Sequence, residues 1–196
     1  MKAGICFLAA ALAALPARAG DWQAVEQIKS YPVSGQTGAE LYEAIGRNGP
    51  EISLGMRTIA HTSFKLTWRR NYEPQGGNCV LVSAVPKLII TYVLPKPKGK
   101  LPAALQPHWQ RFYEGVRAHE KVHGDYIRDL VHAIEAETIG LTVPDDPGCT
   151  KIKAEMTKRL GALSQTQRQR SRDFDRVEMS EGGNIQQLVL GLVNSR

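Results

Sequence analysis

The chain has 196 residues, 42% of them hydrophobic and 22% charged, with a formal net charge of +6. That is enough chain to bury one real core, and it is the make-up of an ordinary soluble globular protein, so a single domain is expected. The positive surplus is mild, and two cysteines outside the N-terminal apolar run are too few for a structural zinc site.

The N-terminus reads Met1-Lys2, an apolar run from Ala3 to Leu15, Pro16, then Ala17-Arg18-Ala19. That is the build of a cleavable secretory signal. Cleavage after Ala19 is expected, leaving 20–196 as one domain. Lys2 and Arg18 depart with residues 1–19, which hold no acid, so the mature charge falls to +4. The run is shorter than the roughly 20 apolar residues a membrane span needs, so no stable anchor is expected after cleavage and the location is periplasmic or secreted. Cys6 leaves too. Cys79 and Cys149 remain, and in an oxidising compartment they are expected to form one disulfide. It would close a long loop, for about 4 kcal/mol in the chain-entropy model.

From Asp21 to Pro50 the pattern predicts a short helical start, Trp22 to Ile28, then a strand around Tyr31-Pro32-Val33, a helix over Ala39 to Ile45, and a turn at Asn48-Gly49-Pro50. Thr58 to Trp68 is rich in β-branched and aromatic residues and partly alternates, as a half-buried strand does. A turn over Glu73 to Asn78 leads to strand candidates Val80 to Val85 and Leu88 to Leu94. Pro86 between them predicts an edge or a bulge. Together these strands predict a small antiparallel sheet.

After the breaker-rich loop Pro95 to Lys100 and Pro107, the period changes from two to about 3.6. Trp109, Phe112, Val116, Glu120, His123, Ile127, Leu130 and Ile134 share one stripe of a long helix ending near Gly140. A turn at Pro144 to Gly148 precedes a second long helix, from about Cys149 to Phe174, with Lys151, Lys153, Lys158, Arg159, Arg168, Arg170 and Arg172 on its basic side. Without aromatic interleaving or a nucleic-acid motif this is a solvated face, and no nucleic-acid partner is expected. The apolar end, Leu188 to Val193, is expected to return against the body.

The chemistry sits in the first long helix. His119-Glu120-Lys121-Val122-His123 is H-E-x-x-H, which places two imidazoles one above the other on a helix face, where both reach a single Zn²⁺. Glu120 beside them is the general base, taking a proton from metal-bound water. A core-facing stripe would be a costly place for a glutamate unless a metal, water or partner received it. A catalytic zinc needs a third protein ligand. Asp129 and His132 point elsewhere if the helix continues, which leaves Glu155, Asp173, Asp175, Glu178 and Glu181. In an antiparallel helix pair Glu155 falls a couple of turns from the histidines. His61 and His108 are unassigned, and Tyr113 and Tyr126 flank the motif as possible oxyanion donors.

These residues resemble a family of predicted secreted zinc-dependent proteases of bacteria. The resemblance spans nearly the whole mature chain. It rests on Tyr31 to Gly35 with Gly49-Pro50, Trp68, Cys79, Trp109 and Phe112, the H-E-x-x-H itself, and Phe174-Asp175-Arg176, similar to the family's tyrosine-aspartate segment. In the family a histidine-glycine pair follows that segment and would suit a third ligand. This chain has Ser180-Glu181-Gly182 there, so the resemblance implies Glu181 as third ligand, with Glu178 second.

The expectation is therefore a zincin-like α+β fold with a small antiparallel sheet on two long helices, with residues 20–196 as a single metalloprotease domain, and a zinc metallopeptidase acting on a protein or peptide. A cell-wall amide is the alternative substrate. A non-catalytic periplasmic binding or assembly factor that keeps the fold is the alternative from another class.

Overall fold

The structure is a computed structural model that describes residues 22–195. The expected signal, residues 1–19, lies outside the described residues. The elements are β1 (Val25–Val33), α1 (Gly38–Asn48), β2 (Glu51–Ser53), β3 (Met56–Arg57), β4 (His61–Gln75), β5 (Asn78–Pro97), α2 (Gln106–Thr138), β6 (Thr142–Val143), α3 (Lys151–Met179) and α4 (Asn184–Val193). The architecture is α+β. Among the described residues no helix is long and apolar enough to cross a membrane.

Strands β4 and β5 form one long hairpin, paired from His61 opposite Val93 to Gln75 opposite Asn78. β1 adds to the other side of β5 in parallel, from Val25 beside Ile89 to Val33 beside Pro97. The main sheet is therefore mixed, in the order β1-β5-β4, with β6 pairing β5 antiparallel at Cys79 and Val80. This corrects the antiparallel expectation. It also corrects the helical start expected at Trp22 to Ile28, most of which is strand. Val25 and Ile28 share the period of a helix stripe, but the open edge of β5 offers their backbone a full ladder, and tertiary pairing outweighs a short local pattern.

β5 runs unbroken through Pro86. Beside Pro86 the strand pairs with β4 alone, because β1 begins only at Ile89 and β6 ends at Val80. Locally it is an edge, where a missing N–H breaks no second ladder.

The inner face of the sheet, Leu88, Ile90, Tyr92 and Leu94, packs on Trp109, Phe112, Val116, Ile127 and Val131 of α2. Leu41 and Ile45 of α1 and Ile185 and Leu192 of α4 complete this core, so the apolar C-terminal segment does return against the body. α2 lies under the main core of the sheet, whereas α3 reaches the sheet only through its first turns, at the far end of β5. α3 is antiparallel to α2, as Arg159 against Glu137 (3.5 Å) and Arg170 against Asp129 (2.6 Å) show, and its buried residues are Ile152 and Met156 alone. These two join Cys79, Leu81, Ala84 and Cys149 in a second apolar cluster. At its centre Cys79 and Cys149 are joined as the expected disulfide. Buried Asp146 starts α3, its carboxylate accepting from the N–H groups of Thr150 (2.8 Å) and Ile152 (2.9 Å), which satisfies donors a helix start leaves open.

A candidate metal centre between the motif helix and the third helix

His119, Glu120 and His123 project from the middle of α2. Beneath them the tip of the Tyr92 side chain of β5 meets the helix, so that a Cβ on Gly124 would lie 2.1 Å from the tyrosine hydroxyl oxygen. Glycine at this position leaves room for that hydroxyl. The tyrosine hydroxyl in turn donates to Glu26 of β1 (3.1 Å), and Lys121 meets the same carboxylate at 2.6 Å.

α3 supplies the third group. His119 Nε2 and His123 Nε2 are 3.2 Å apart, and Asp175 Oδ1 lies 3.1 Å from the first and 2.9 Å from the second. These three atoms form the group able to hold a metal ion among the described residues. Phe174 next to the aspartate stacks on the His119 ring, with centroids 4.7 Å apart, and meets His123 edge-on at 5.5 Å.

Glu178, one turn beyond Phe174 on α3, puts Oε2 3.6 Å from His119 Nδ1, beyond hydrogen-bonding length, so that buried nitrogen has no bonded partner among the described residues. A carboxylate there faces the ring nitrogen that turns away from the metal group, the usual place for a group that orients a ligating histidine. Glu178 also accepts from Asn184 at 3.1 Å. Glu181 lies past the end of α3 in an exposed turn and is not brought to the histidines. Glu155 pairs with Arg159 (2.9 Å) and Asp129 with Arg170, both away from the cluster. The third group brought to the histidines is Asp175, one of the five acids on or after α3. Sequence offers little to choose it: it is one helical residue among several, and its selection depends on the register of α3 against α2.

Glu120 is 5% exposed and receives the Thr62 hydroxyl of β4 at 2.5 Å. Burial pushes its carboxyl above the ordinary range, against the pull of Thr62 and of the nearby histidines. For His119 burial acts downward, but the Asp175 hydrogen bond and the charges of Glu120, Asp175 and Glu178 outweigh it and raise the imidazole. Burial would raise Asp175, yet its two histidine partners hold it well below the usual carboxylate range. Thr62 is the residue sequence reasoning missed; an alternating strand marks its face but not its partner.

These groups line a cavity of about 310 Å³ between β4, α2 and α3, with His61 also in its wall. His108 lines a different depression, with Arg111 and Leu190. Tyr126 lies outside the cavity, under the Arg170 guanidinium at 3.8 Å. Tyr113 packs against the main core.

Residues 28–183 match the model of a family described as "Bacterial protein of unknown function (DUF922)". The chain belongs to this family. Searches of curated proteins and of solved structures return no match. The DUF922 span begins within β1 and ends just before α4. It therefore contains His119, Glu120, His123, Asp175, Glu178 and both cysteines, whereas the helix that seals the core lies beyond it.

Proposed function

We propose that the protein is a zinc-dependent hydrolase of the metallopeptidase kind, acting outside the cytoplasm, with His119, His123 and Asp175 as zinc ligands and Glu120 as general base. The observation that carries the reading is the size of the triangle of ligand atoms. Tetrahedral zinc with ligands at about 2.0–2.1 Å has ligand-to-ligand edges of roughly 3.3 Å. The three edges here are 3.2, 3.1 and 2.9 Å. Two neutral imidazoles and one carboxylate are also a donor set zinc accepts, and three protein ligands leave the open position that a catalytic site keeps.

Bound zinc would polarise a substrate carbonyl and acidify a water molecule. The chain's own residues supply the rest. Glu120 takes a proton and later delivers it to the leaving amine, and its burial raises proton affinity toward the range where such transfer works near neutral pH. Thr62 fixes the carboxylate's direction. Glu178 sits behind His119, and Phe174 against both rings, so the ligands are held before metal arrives. β4 is bonded only to β5 among the described residues, and His61 and Thr62 at its start, with Ala60 just before it, line the cavity. An extended peptide laid along that free edge would meet the metal group through main-chain pairing.

The test is elemental analysis of the purified mature protein with peptide hydrolysis measured beside it. About one zinc per chain is expected, absent in His119→Ala. Glu120→Gln should keep the zinc and lose roughly 10²–10⁴-fold in rate. A protein that stays metal-free in zinc-supplemented buffer refutes the reading. Full zinc with an undiminished rate in Glu120→Gln would reject Glu120 as the base, and full zinc with no hydrolysis in the wild type would make the protein a non-catalytic binding factor.

A further inference from the structure

Each element that supplies a site residue carries an apolar residue one repeat further along. On β4, Phe64 follows Thr62 by two positions and shares its face, since their partners on β5, Ile90 and Tyr92, both point into the core. On α2, Ile127 lies one turn beyond His123, and on α3, Met179 lies one turn beyond Asp175. All three line the cavity that holds the metal group, and Ile52 of the small β2–β3 hairpin joins them. Because α2 and α3 run antiparallel, Ile127 and Met179 fall on opposite sides of that group.

Three of the four are unusually exposed for their type: Ile52 at 49%, Phe64 at 41% and Met179 at 48%. The same hairpin exposes Met56 at 58% and leaves Leu54 fully open at its tip. No lysine or arginine lines the cavity, and its two acids are engaged, Glu120 by Thr62 and Asp175 by the histidines. Apolar surface gathered round a cleft marks a place where something apolar is received. A charged side chain entering here finds no free counter-charge and loses its hydration.

We propose that the cleft selects polypeptides by a bulky aliphatic or aromatic side chain next to the bond under attack, received by the exposed apolar residues Ile52, Phe64 and Met179 while buried Ile127 closes the floor, and discriminates against charged side chains there. The inference rests on the zinc-hydrolase reading. Half-burying a leucine or phenylalanine side chain against these residues favours it over alanine by roughly tenfold.

Calorimetric titration of the zinc-loaded mature chain tests it, with acetohydroxamate as a zinc-directed probe lacking a side chain and N-acyl leucyl, phenylalanyl, alanyl, aspartyl and lysyl hydroxamates as the series. The leucyl and phenylalanyl compounds should bind roughly tenfold or more tightly than the alanyl one, and the aspartyl and lysyl compounds no better than it. In Ile52→Ser and Met179→Ser, both at exposed positions, the leucyl-to-alanyl ratio should fall toward one. If acetohydroxamate binds but affinity is indifferent to the side chain, the selectivity inference fails and the zinc reading stands. If neither acetohydroxamate nor any member of the series binds, both fall.

Discussion

Asp175 is the residue on which the proposed metal site turns, and replacing it with asparagine gives a prediction that can be worked from the structure. Asparagine keeps the volume and one oxygen but removes the charge shared between two imidazoles at 2.9 and 3.1 Å. The aspartate side chain is 40% exposed, so without metal its ion pairs are screened and the substitution should cost at most about 1 kcal/mol. With zinc the difference is larger. Zinc held at 100 times its dissociation constant stabilises the folded chain by about 2.7 kcal/mol. For a domain of this size that raises Tm by roughly 5–10 °C. Scanning calorimetry of chelator-treated protein, with and without added zinc, should show that rise in the wild type and in Glu181→Gln, and lose most of it in Asp175→Asn. A full zinc-induced rise in Asp175→Asn, or its loss in Glu181→Gln, would refute the assignment and return the third ligand to the turn after α3.

Three further outcomes are expected. Gly124→Ala puts a methyl group 2.1 Å from the Tyr92 hydroxyl and should lower stability by about 1–3 kcal/mol in urea unfolding, the cost of overpacking; a loss within error would mean that α2 is free to lift from the sheet. Replacing Cys79 and Cys149 together by serine opens a loop with a sequence separation of 70 and should cost about 4 kcal/mol in the chain-entropy model, read from the shift in the denaturation midpoint. Burial first, then the Glu26 charge, push the Tyr92 hydroxyl up to about 12. Its contribution to stability should therefore be complete below pH about 10, where both states are protonated, and lost as pH rises toward 12, because the unfolded chain ionises first. Tyr92→Phe should make the alkaline decline shallower, and an unchanged decline would reject this source.

The sequence by itself determined the elements whose signal is local. The apolar stripe of α2 runs through about seven turns with a glutamate on its core side, so both the helix and the anomaly that marks His119, Glu120 and His123 are legible without coordinates. Cys79 and Cys149, the two cysteines outside the N-terminal apolar run, admit one pairing with each other, and the structure joins them. Tertiary structure alone decided the rest. The parallel seating of β1 depends on an open edge of β5 that lies dozens of residues away, so a short helix-like pattern at Trp22 to Ile28 misleads. Asp175 rather than Glu181 faces the histidines because the antiparallel register of α3 on α2, carried by Arg159 with Glu137 and Arg170 with Asp129, brings residue 175 level with residues 119–123. That register is a sum of weak contacts between two amphipathic surfaces, and no single residue in the sequence announces it. Thr62 meets Glu120 for the same kind of reason: the alternation of β4 fixes the face a side chain takes, and only the packing of sheet on helix fixes what waits there.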